Sequence, residues 1–152
     1  MTAMAPRMSQ TLPDEHHGRL MRIAREVAFP QGTRLFDAGS RADRFWIVRS
    51  GSVALDIPLP GRPAPVVDSL GHGELIGWSW LFPPYVWQLG AAAETPVRAY
   101  EFDAFTVRLM CASDPALGSF VAQWVGRVLA HRLSVTRSRL LDVYAPYGYD
   151  AA

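Results

Sequence analysis

The chain has 152 residues, a formal net charge of +1 and 49% apolar residues. These values are typical of one globular domain with a core, and they exclude a wholly disordered chain and charge-driven, non-specific binding of nucleic acid. The single cysteine, Cys111, excludes an intrachain disulfide, and we expect a cytoplasmic protein because neither a secretory signal nor an apolar run of membrane length is visible.

The N-terminal part of the sequence predicts a disordered segment and then one helix. Residues 1–11 are small and polar, as is typical of a disordered terminus. Over residues 12–27, apolar side chains recur at helical spacing. Pro13 and Asp14 suit the first turn of a helix, by fixed φ and by charge. We therefore predict a single helix over this range.

Seven short segments follow, separated by turns rich in glycine, proline and serine, and they predict β-strands. The segments are Thr33–Phe36, Arg44–Arg49, Ser52–Ile57, Val66–Leu70, Leu75–Ile76, Gly90–Ala93 and Val97–Phe102. Gly51 marks a hairpin between the second and the third, and the proline-rich stretch 58–65 marks another hairpin tip. Many short strands at such spacing are typical of an antiparallel sandwich or barrel.

Two helices are predicted after the last strand. Asp103 can cap a short helix over Ala104–Cys111, and Asp114 followed by Pro115 is the start signal of a long helix that continues to Val143. Some 28 helical residues would span roughly 42 Å, a length typical of packing along a partner. The predicted organisation is a disordered N-terminus, one domain and a frayed tail, over residues 1–11, 12–143 and 144–152.

Two adjacent apolar stripes on the long helix predict contacts on two of its sides. The stripe that we expect to face the domain's own core comprises Val121, Trp124, Val128 and Val135. The stripe that we expect to form a homodimer with a second copy includes Val125, Leu129, Leu133, Thr136 and Leu140. A single wide stripe that faces only the core is the alternative. The arginines of this helix are expected to form a solvated face rather than a phosphate site, at Arg127, Arg132, Arg137 and Arg139.

The stretch FPQGTRLFDAGSRADRFWIVRSGSVAL has a distinctive pattern of turns and strands. Gly32 and Gly39 flank the first strand, Ala42–Asp43 leads into an aromatic and aliphatic strand, and Gly51 makes the hairpin. Together with the order of helices and strands, this pattern resembles the cyclic nucleotide-binding domain superfamily over residues 20–143. The chain is most similar to the sensory half of bacterial regulators of the catabolite-activator/Fnr type.

The resemblance implies an α+β fold. An antiparallel double-stranded β-helix, or jelly roll, would be flanked by an N-terminal helix and by a long C-terminal helix that dimerises. It also implies a stand-alone regulatory role in signalling, without enzymatic activity. Because no room remains for a helix-turn-helix after Val143, we expect that the chain does not bind DNA directly.

In this superfamily a phosphate-binding cassette holds the ligand, and the glycine frame of Gly73 and Gly77 is similar to that cassette. N–H groups of a short helix point at the cyclic phosphate, and a Glu directly after the second glycine accepts the ribose hydroxyl. An Arg about ten residues later pairs with the phosphate. Here Trp78 occupies the Glu position, and the Arg position falls on Trp87 or Gln88.

The two charged ligand-binding residues of the cassette are therefore missing. Glu74 precedes the second glycine, where it is not expected to replace the missing Glu, and residues 74–93 contain no Arg or Lys. Losing a desolvated charged partner weakens a micromolar site to about millimolar or beyond, so we expect ordinary binding of cyclic AMP or cyclic GMP to be lost. The candidate pocket residues are Gly73, Glu74, Gly77, Trp78, Ser79, Trp87 and Gln88.

Three interpretations of the aromatic segment WSWLFPPYVW stay open. Its side chains fill the pocket and lock the domain in one state. Alternatively, the pocket is adapted to an apolar or aromatic ligand that stacks on Trp78 or Trp87. In the third interpretation, Leu81–Trp87 forms an outward patch that contacts a protein partner. A filled pocket and a contact patch can coexist.

Neither a metal centre nor a catalytic centre is predicted. A metal-binding cupin, another jelly-roll class, would need an H-x-H pair with a Glu and a later His on strands, and the sequence lacks that pair. Cys111 is expected to be a small core residue. Asp103 and Asp114 are interpreted as helix caps rather than as an acid–base pair. We expect no cofactor.

Overall fold

The structure, a computed structural model, describes residues 5–144. Within this range the helices are α1 Met8–Thr11, α2 Asp14–Ile23, α3 Ala104–Ser113 and α4 Pro115–Tyr144. The strands are β1 Arg25–Phe29, β2 Arg34–Phe36, β3 Arg44–Ser50, β4 Val53–Asp56, β5 Val66–Leu70, β6 Leu75–Ile76, β7 Gly90–Ala93 and β8 Val97–Asp103. A three-residue 3-10 turn, Ser79–Leu81, lies between β6 and β7. Residues 1–4 of the predicted disordered segment and residues 145–152 of the predicted tail lie outside the described residues, whereas Tyr144, predicted to begin the tail, is the last residue of α4.

The strands form two four-stranded antiparallel sheets, which confirm the predicted α+β jelly-roll fold with its flanking helices. The strand orders are β1-β8-β3-β6 and β2-β7-β4-β5, and we call the two sheets together the roll. Buried side chains from both sheets and from α4 form one core. In it, Phe45 stacks on both Trp80 and Phe102, with ring centroids 3.8 and 4.7 Å apart.

The N-terminal region differs from the single predicted helix. The chain leaves α2 at Ala24, whose backbone is extended with φ −71° and ψ 144°, and continues as β1. Val27, predicted in the helix, pairs instead with Ala99 of β8. Pairing along β8 outweighs the helical spacing of the apolar residues, because tertiary context overrides local pattern. The helix α1 lies inside the segment predicted to be disordered, and Met8 is buried there.

Both C-terminal helices begin at the predicted aspartates. The Oδ2 atom of Asp103 accepts hydrogen bonds from the backbone N–H and the hydroxyl of Thr106, at 2.9 and 2.6 Å. The Oδ1 atom of Asp114 accepts from N–H groups in the first turn of α4, and Arg19 donates to its Oδ2 at 2.5 Å. The Thr106 hydroxyl is the main cause that lowers the pKa of Asp103, and Arg19 is the main cause that lowers the pKa of Asp114.

Acid should destabilise the fold in part by protonating these caps. A carboxyl whose pKa in the folded state lies below its ordinary value of 3.8 stabilises the protein above that pH, and the contribution is lost as the pH falls through the lower folded value. We expect the free energy of unfolding in urea to fall less between about pH 5 and about pH 3 in Asp114→Asn than in the wild type. Equal acid losses in the two proteins would contradict the role of this carboxyl.

One face of α4 packs on the core. The helix has 30 residues and is roughly 45 Å long. Val121, Trp124 and Val128 of the predicted core stripe are fully buried. Val125, predicted to face a second copy, is also fully buried in its own domain, so that part of the dimer prediction is wrong. It follows Trp124 by one helical step of about 100°, and the core-facing side of α4 is wide enough to cover both residues.

The C-terminal half of α4 is more exposed. Leu129 is still partly buried against the core, whereas Leu133 is 68% exposed. Thr136 and Leu140 lie on the side of α4 that faces the roll. Neither α4 nor any other helix in the described part of the chain has both the length and the apolar character needed to span a membrane.

Candidate functional site

The predicted cassette folds as two glycine turns on either side of the short strand β6. Gly73 and Gly77 have φ values of +80° and +83°, in the left-handed region that favours glycine. The Oε2 atom of Glu74 accepts a hydrogen bond from the backbone N–H of Gly71 at 2.7 Å, so this carboxylate stabilises the first turn. The second turn leads into the 3-10 turn, in which Ser79 is buried.

Trp87 fills the space next to the second glycine. It is 4% exposed and stacks on Phe36, with ring centroids 3.9 Å apart and ring planes inclined by 12°. A Cβ atom placed on Gly77 would overlap Cζ3 of Trp87 and lie 2.9 Å from its Cη2. The indole therefore lies directly against the cassette backbone, and only glycine at position 77 leaves room for it.

Little space remains at the cassette. The cavity has a volume of about 20 Å³ and is lined by Phe36, Leu55, Gly77, Trp78, Ser79, Trp87, Gln88 and Leu89. This is room for about one water molecule, whereas small-molecule sites typically have volumes of about 300–1,000 Å³. The ring of Trp87 takes up the space directly beside Gly77.

The structure brings five of the seven predicted pocket residues to this small cavity, and within residues 5–144 no charged side chain lines it. Trp78 is half-buried, and Gln88 is exposed with its Nε2 donating to a backbone carbonyl at 3.2 Å. Gly73 and Glu74 are not among the lining residues. At Gly73 the side chain of Arg7, from the N-terminal segment, packs over the turn. The candidate residues at this cavity are therefore uncharged, and most of the lining side chains are apolar.

The aromatic segment after the cassette points partly inward. Trp80 is fully buried, and the Nη1 atom of Arg108 in α3 donates to its carbonyl at 2.7 Å. Phe82, by contrast, is 46% exposed. The prediction that Leu81–Trp87 forms an outward patch is therefore wrong at Trp87, because that ring belongs to the core. The exposed part of the segment is the tip around Phe82.

A larger cavity lies between the roll and the C-terminal half of α4. Its volume is about 480 Å³, and it is lined by Leu55, Ile57, Val66, Val67, Asp68, Trp78, Leu89, Arg132, Thr136, Arg139, Leu140 and Val143. Leu55, Trp78 and Leu89 line both this space and the small cassette cavity, so the two spaces adjoin. Five of the lining residues are candidates from the sequence, but no pattern in the sequence indicates that they surround one cavity: Trp78, Arg132, Thr136, Arg139 and Leu140.

An ion-pair cluster holds α4 to the roll beside this cavity. Asp68 of β5 pairs with Nη1 of Arg132 and, at 3.2 Å, with Nη2 of Arg139. The side chain of Arg132 is only 10% exposed, so the prediction of a solvated face is wrong at this residue. Its Nε and Nη2 atoms are buried and have no hydrogen-bond partner within residues 5–144. Arg132 and Asp68 are 64 positions apart, so no local spacing could have indicated the pair.

The described residues suggest neither a metal centre nor a reactive thiol. In the range 5–144, no three His, Cys, Asp or Glu side chains come together as a possible set of metal ligands. Cys111 is half-buried, and burial raises the pKa of its thiol. A raised thiol pKa disfavours the nucleophilic thiolate.

Comparison with known proteins points to one family. A family model described as the cyclic nucleotide-binding domain matches residues 26–114. The CRP-like cAMP-activated global transcriptional regulator of Mycobacterium tuberculosis is 30% identical over 117 residues, which make up 77% of this chain and 50% of that protein. The chain thus spans about half the length of this relative.

Two solved structures are similar to the chain. The N-terminal domain of a transcriptional regulator from Streptomyces coelicolor A3(2) has a TM-score of 0.67 and 27% identity, covering 78% of this chain and 85% of that one. A cyclic nucleotide-binding domain from Methylobacillus flagellatus KT has a TM-score of 0.77 at 19% identity, covering 86% of this chain and 74% of that one. At 19% identity, the similarity to the Methylobacillus flagellatus domain shows that the two chains share a fold.

Proposed function

This chain belongs to the cyclic nucleotide-binding domain family, and we propose that it is a regulatory domain whose own Trp87 closes the cassette to cyclic AMP and cyclic GMP. The observation that carries the proposal is the stacking of Trp87 on Phe36 directly against Gly77. The relatives named as transcriptional regulators support a cytoplasmic signalling role rather than an enzymatic one. The output of the domain would then pass through contacts with protein partners.

Charge and volume support a closed cassette independently. A cyclic phosphate needs cationic or N–H partners, yet Trp78 stands at the position where the resemblance implies a Glu, and Trp87 or Gln88 at the position where it implies an Arg. The cavity directly at Gly77 has a volume of about 20 Å³, less than a tenth of a typical small-molecule site, and the 480 Å³ cavity adjoins it on the side of α4. Backbone N–H groups alone would hold an anion only weakly, because charge-assisted hydrogen bonds are roughly twice as strong as neutral ones.

Calorimetric titration with cyclic AMP and cyclic GMP tests this proposal. We expect no saturable heat, with a dissociation constant weaker than about 1 mM for either nucleotide. A cAMP-activated relative, titrated in the same buffer, serves as the positive control. A dissociation constant at or below about 10 μM for either nucleotide would sink the proposal.

We also propose that α4 pairs with the same helix of a second copy. Leu133, Leu141 and Tyr144 are 68%, 56% and 61% exposed and lie on the side of α4 opposite the core. Gly126 and Ala130, which are small and exposed, continue this side toward the N-terminus and would let a second helix approach closely. A long helix with apolar side chains on two opposite sides is typical of one that packs between its domain and a partner.

Light scattering after size exclusion tests the helix pairing. We expect a dimer mass for the wild type and a monomer mass for the double variant Leu133→Glu/Leu141→Glu, because the seam would lose two apolar contacts per helix and two carboxylates per helix would be desolvated in it. Ser138→Glu, an exposed position of α4 away from this side, is the matched control and should stay dimeric. A monomer mass for the wild type at high concentration would rule out the pairing.

A further inference from the structure

We infer that a cavity beside the loop between β2 and β3 binds a free amino acid with an apolar side chain, as its zwitterion. The cavity has a volume of about 360 Å³, and we call it the loop cavity. It shares no lining residue with the space between the roll and α4. Amino acid binding at this place does not require a closed cassette. A rigid loop, an aromatic floor and two charged side chains that have no partner within residues 5–144 support it.

Backbone hydrogen bonds hold the loop in place. The N–H group of Gly39 donates to the carbonyl of Trp87 at 2.8 Å, and the N–H group of Trp87 donates to the carbonyl of Ser40 at 2.9 Å. At the end of the loop, the N–H group of Ala42 donates to the carbonyl of Tyr85 at 2.7 Å. A loop that is already ordered loses little conformational entropy when a ligand binds, so these bonds prepare the wall of the cavity for binding.

The floor of the loop cavity is aromatic. The ring of Phe36 stacks on two indoles, with its centroid 5.8 Å from that of Trp46 and 3.9 Å from that of Trp87. All three side chains line the cavity and belong to the core, so they offer a ligand side chain a rigid apolar surface. The volume lies near the lower end of the range of about 300–1,000 Å³ that is typical of small-molecule sites, which suits a ligand as small as an amino acid.

Most of the charged side chains at the rim are already paired. Arg34 donates from Nη1 and Nη2 to the two oxygens of Asp56, at 2.5 and 3.2 Å, and from Nε to Asp37 at 3.1 Å. Arg44 lies 3.6 Å from the carboxylate of Glu101. These groups have little capacity left for a ligand.

Arg41 and Asp43 are the exceptions. Both line the loop cavity, both are exposed, and neither side chain has an ion-pair or hydrogen-bond partner in the part of the chain that the structure describes. The guanidinium of Arg41 can donate two parallel hydrogen bonds to a carboxylate, and the carboxylate of Asp43 can accept hydrogen bonds from an ammonium group. The α-carboxylate and the α-ammonium group of an amino acid supply both partners in one small molecule.

The charge of the whole rim favours a ligand without net charge. The paired side chains are three arginines and three carboxylates, Arg25, Arg34, Arg44, Asp37, Asp56 and Glu101. Arg41 and Asp43 add one charge of each sign, so the cluster is neutral. A ligand with a single charge would leave one of these two groups unpaired beside it, which is less favourable in a partly desolvated cavity. A zwitterion pairs both.

The loop cavity adjoins the cassette through two shared rings. Phe36 and Trp87 line both the loop cavity and the small cavity at Gly77. An amino acid in the loop cavity would therefore contact the indole that, in our proposal, closes the cassette. Such a contact would hold Trp87 in place and stabilise the closed state.

Calorimetric titration of the full chain with leucine and phenylalanine tests the inference. We expect at least one of them to bind with a dissociation constant below about 1 mM. The matched controls lack either the ammonium group or the carboxylate: 4-methylpentanoate and 3-methylbutylamine for leucine, 3-phenylpropanoate and phenethylamine for phenylalanine. They should bind at least about tenfold more weakly, because each leaves one rim group unpaired. Dissociation constants above about 1 mM for both amino acids, or a control that binds within about tenfold of its amino acid, would overturn the inference.

Substitutions locate the site. Arg41→Gln and Asp43→Asn each remove one charge from an exposed side chain without a described partner, so both variants should fold. Each should weaken amino acid binding by about tenfold or more, whereas Arg62→Gln and Asp142→Asn, at exposed positions outside the cavity, should not change it. Unchanged affinity in Arg41→Gln or in Asp43→Asn would overturn the inference. Binding of cyclic AMP below about 10 μM together with amino acid binding would overturn only the closed cassette, so the two proposals fail separately.

Discussion

Replacing Gly77 by alanine is expected to lower the free energy of unfolding by about 3 kcal/mol. One part of the loss is conformational, because an L-residue in the left-handed region at φ +83° is disfavoured by about 1–2 kcal/mol. The second part is steric, because the new Cβ would overlap Cζ3 of Trp87, and overpacking a core typically costs about 1–3 kcal/mol. Urea unfolding followed by far-UV circular dichroism measures the change.

Gly39→Ala separates the two contributions. Gly39 also has a positive φ, +90°, but no described atom lies within 4 Å of a Cβ placed there. This control should therefore show only the conformational loss of about 1–2 kcal/mol. A second test adds Gly77→Ala to the variant Trp87→Leu. The loss in free energy of unfolding caused by Gly77→Ala should be smaller there than in the wild type, because the overlapping ring is gone. If Gly39→Ala and Gly77→Ala were equally destabilised, the close contact of Trp87 with the cassette would be refuted.

Replacing Asp68 by alanine should have an effect of similar size, about 3 kcal/mol. Removing one partner of a buried ion pair leaves an uncompensated charge, which typically destabilises by about 3–5 kcal/mol. We take the lower end because Arg139 is half-exposed and only Arg132 is buried. Amide hydrogen exchange should also become faster in the C-terminal half of α4, since this cluster holds that half to the roll.

Asp37→Ala is the matched control for Asp68→Ala. Asp37 also pairs with an arginine, Arg34, at 2.9 Å, but its side chain is 76% exposed, and exposed pairs contribute only about 0–1 kcal/mol. The double variant Asp68→Leu/Arg132→Met should recover most of the lost stability, because replacing both buried charges by apolar groups is often nearly neutral. A large loss in Asp37→Ala, or no recovery in the double variant, would show that burial of the pair is not the cause.

Much of the fold could be predicted from local signals. The strands Val66–Leu70, Leu75–Ile76 and Gly90–Ala93 have the predicted boundaries, because glycine and proline turns delimit them sharply. The long helix was predicted from its aspartate cap and the following proline. The strand β1 was missed because the preceding helix and the strand share one apolar pattern without a turn residue between them. Only pairing with β8 makes this segment a strand.

The candidate site was less predictable, because it depends on contacts between distant segments. The sequence indicated that the cassette lacks its charges and that Trp87 stands near it, but not where the indole would point. Its orientation is set by stacking on Phe36 of β2, 51 positions earlier in the chain. The burial of Arg132 likewise depends on Asp68 in β5. The apolar periodicity of α4 indicates that two sides of the helix are apolar. Which residues face the core depends on how the helix packs on the roll, and this packing buries Val125.

In the closed cassette that we propose, the indole of Trp87 acts as a covalently attached competitor of the ligand, present at the high effective concentration of any intramolecular group. A ligand that needs this volume must first expel the ring. Exposing the roughly 150–250 Å² that a tryptophan buries requires about 4–6 kcal/mol at 25 cal/mol per Å². Only about one molecule in 10³ to 10⁴ would then be open at any moment, and a ligand's apparent affinity would fall by the same factor. If the cassette is closed in this way, even micromolar intrinsic affinity would give a response only at millimolar nucleotide concentrations, and smaller changes would leave Trp87 in place.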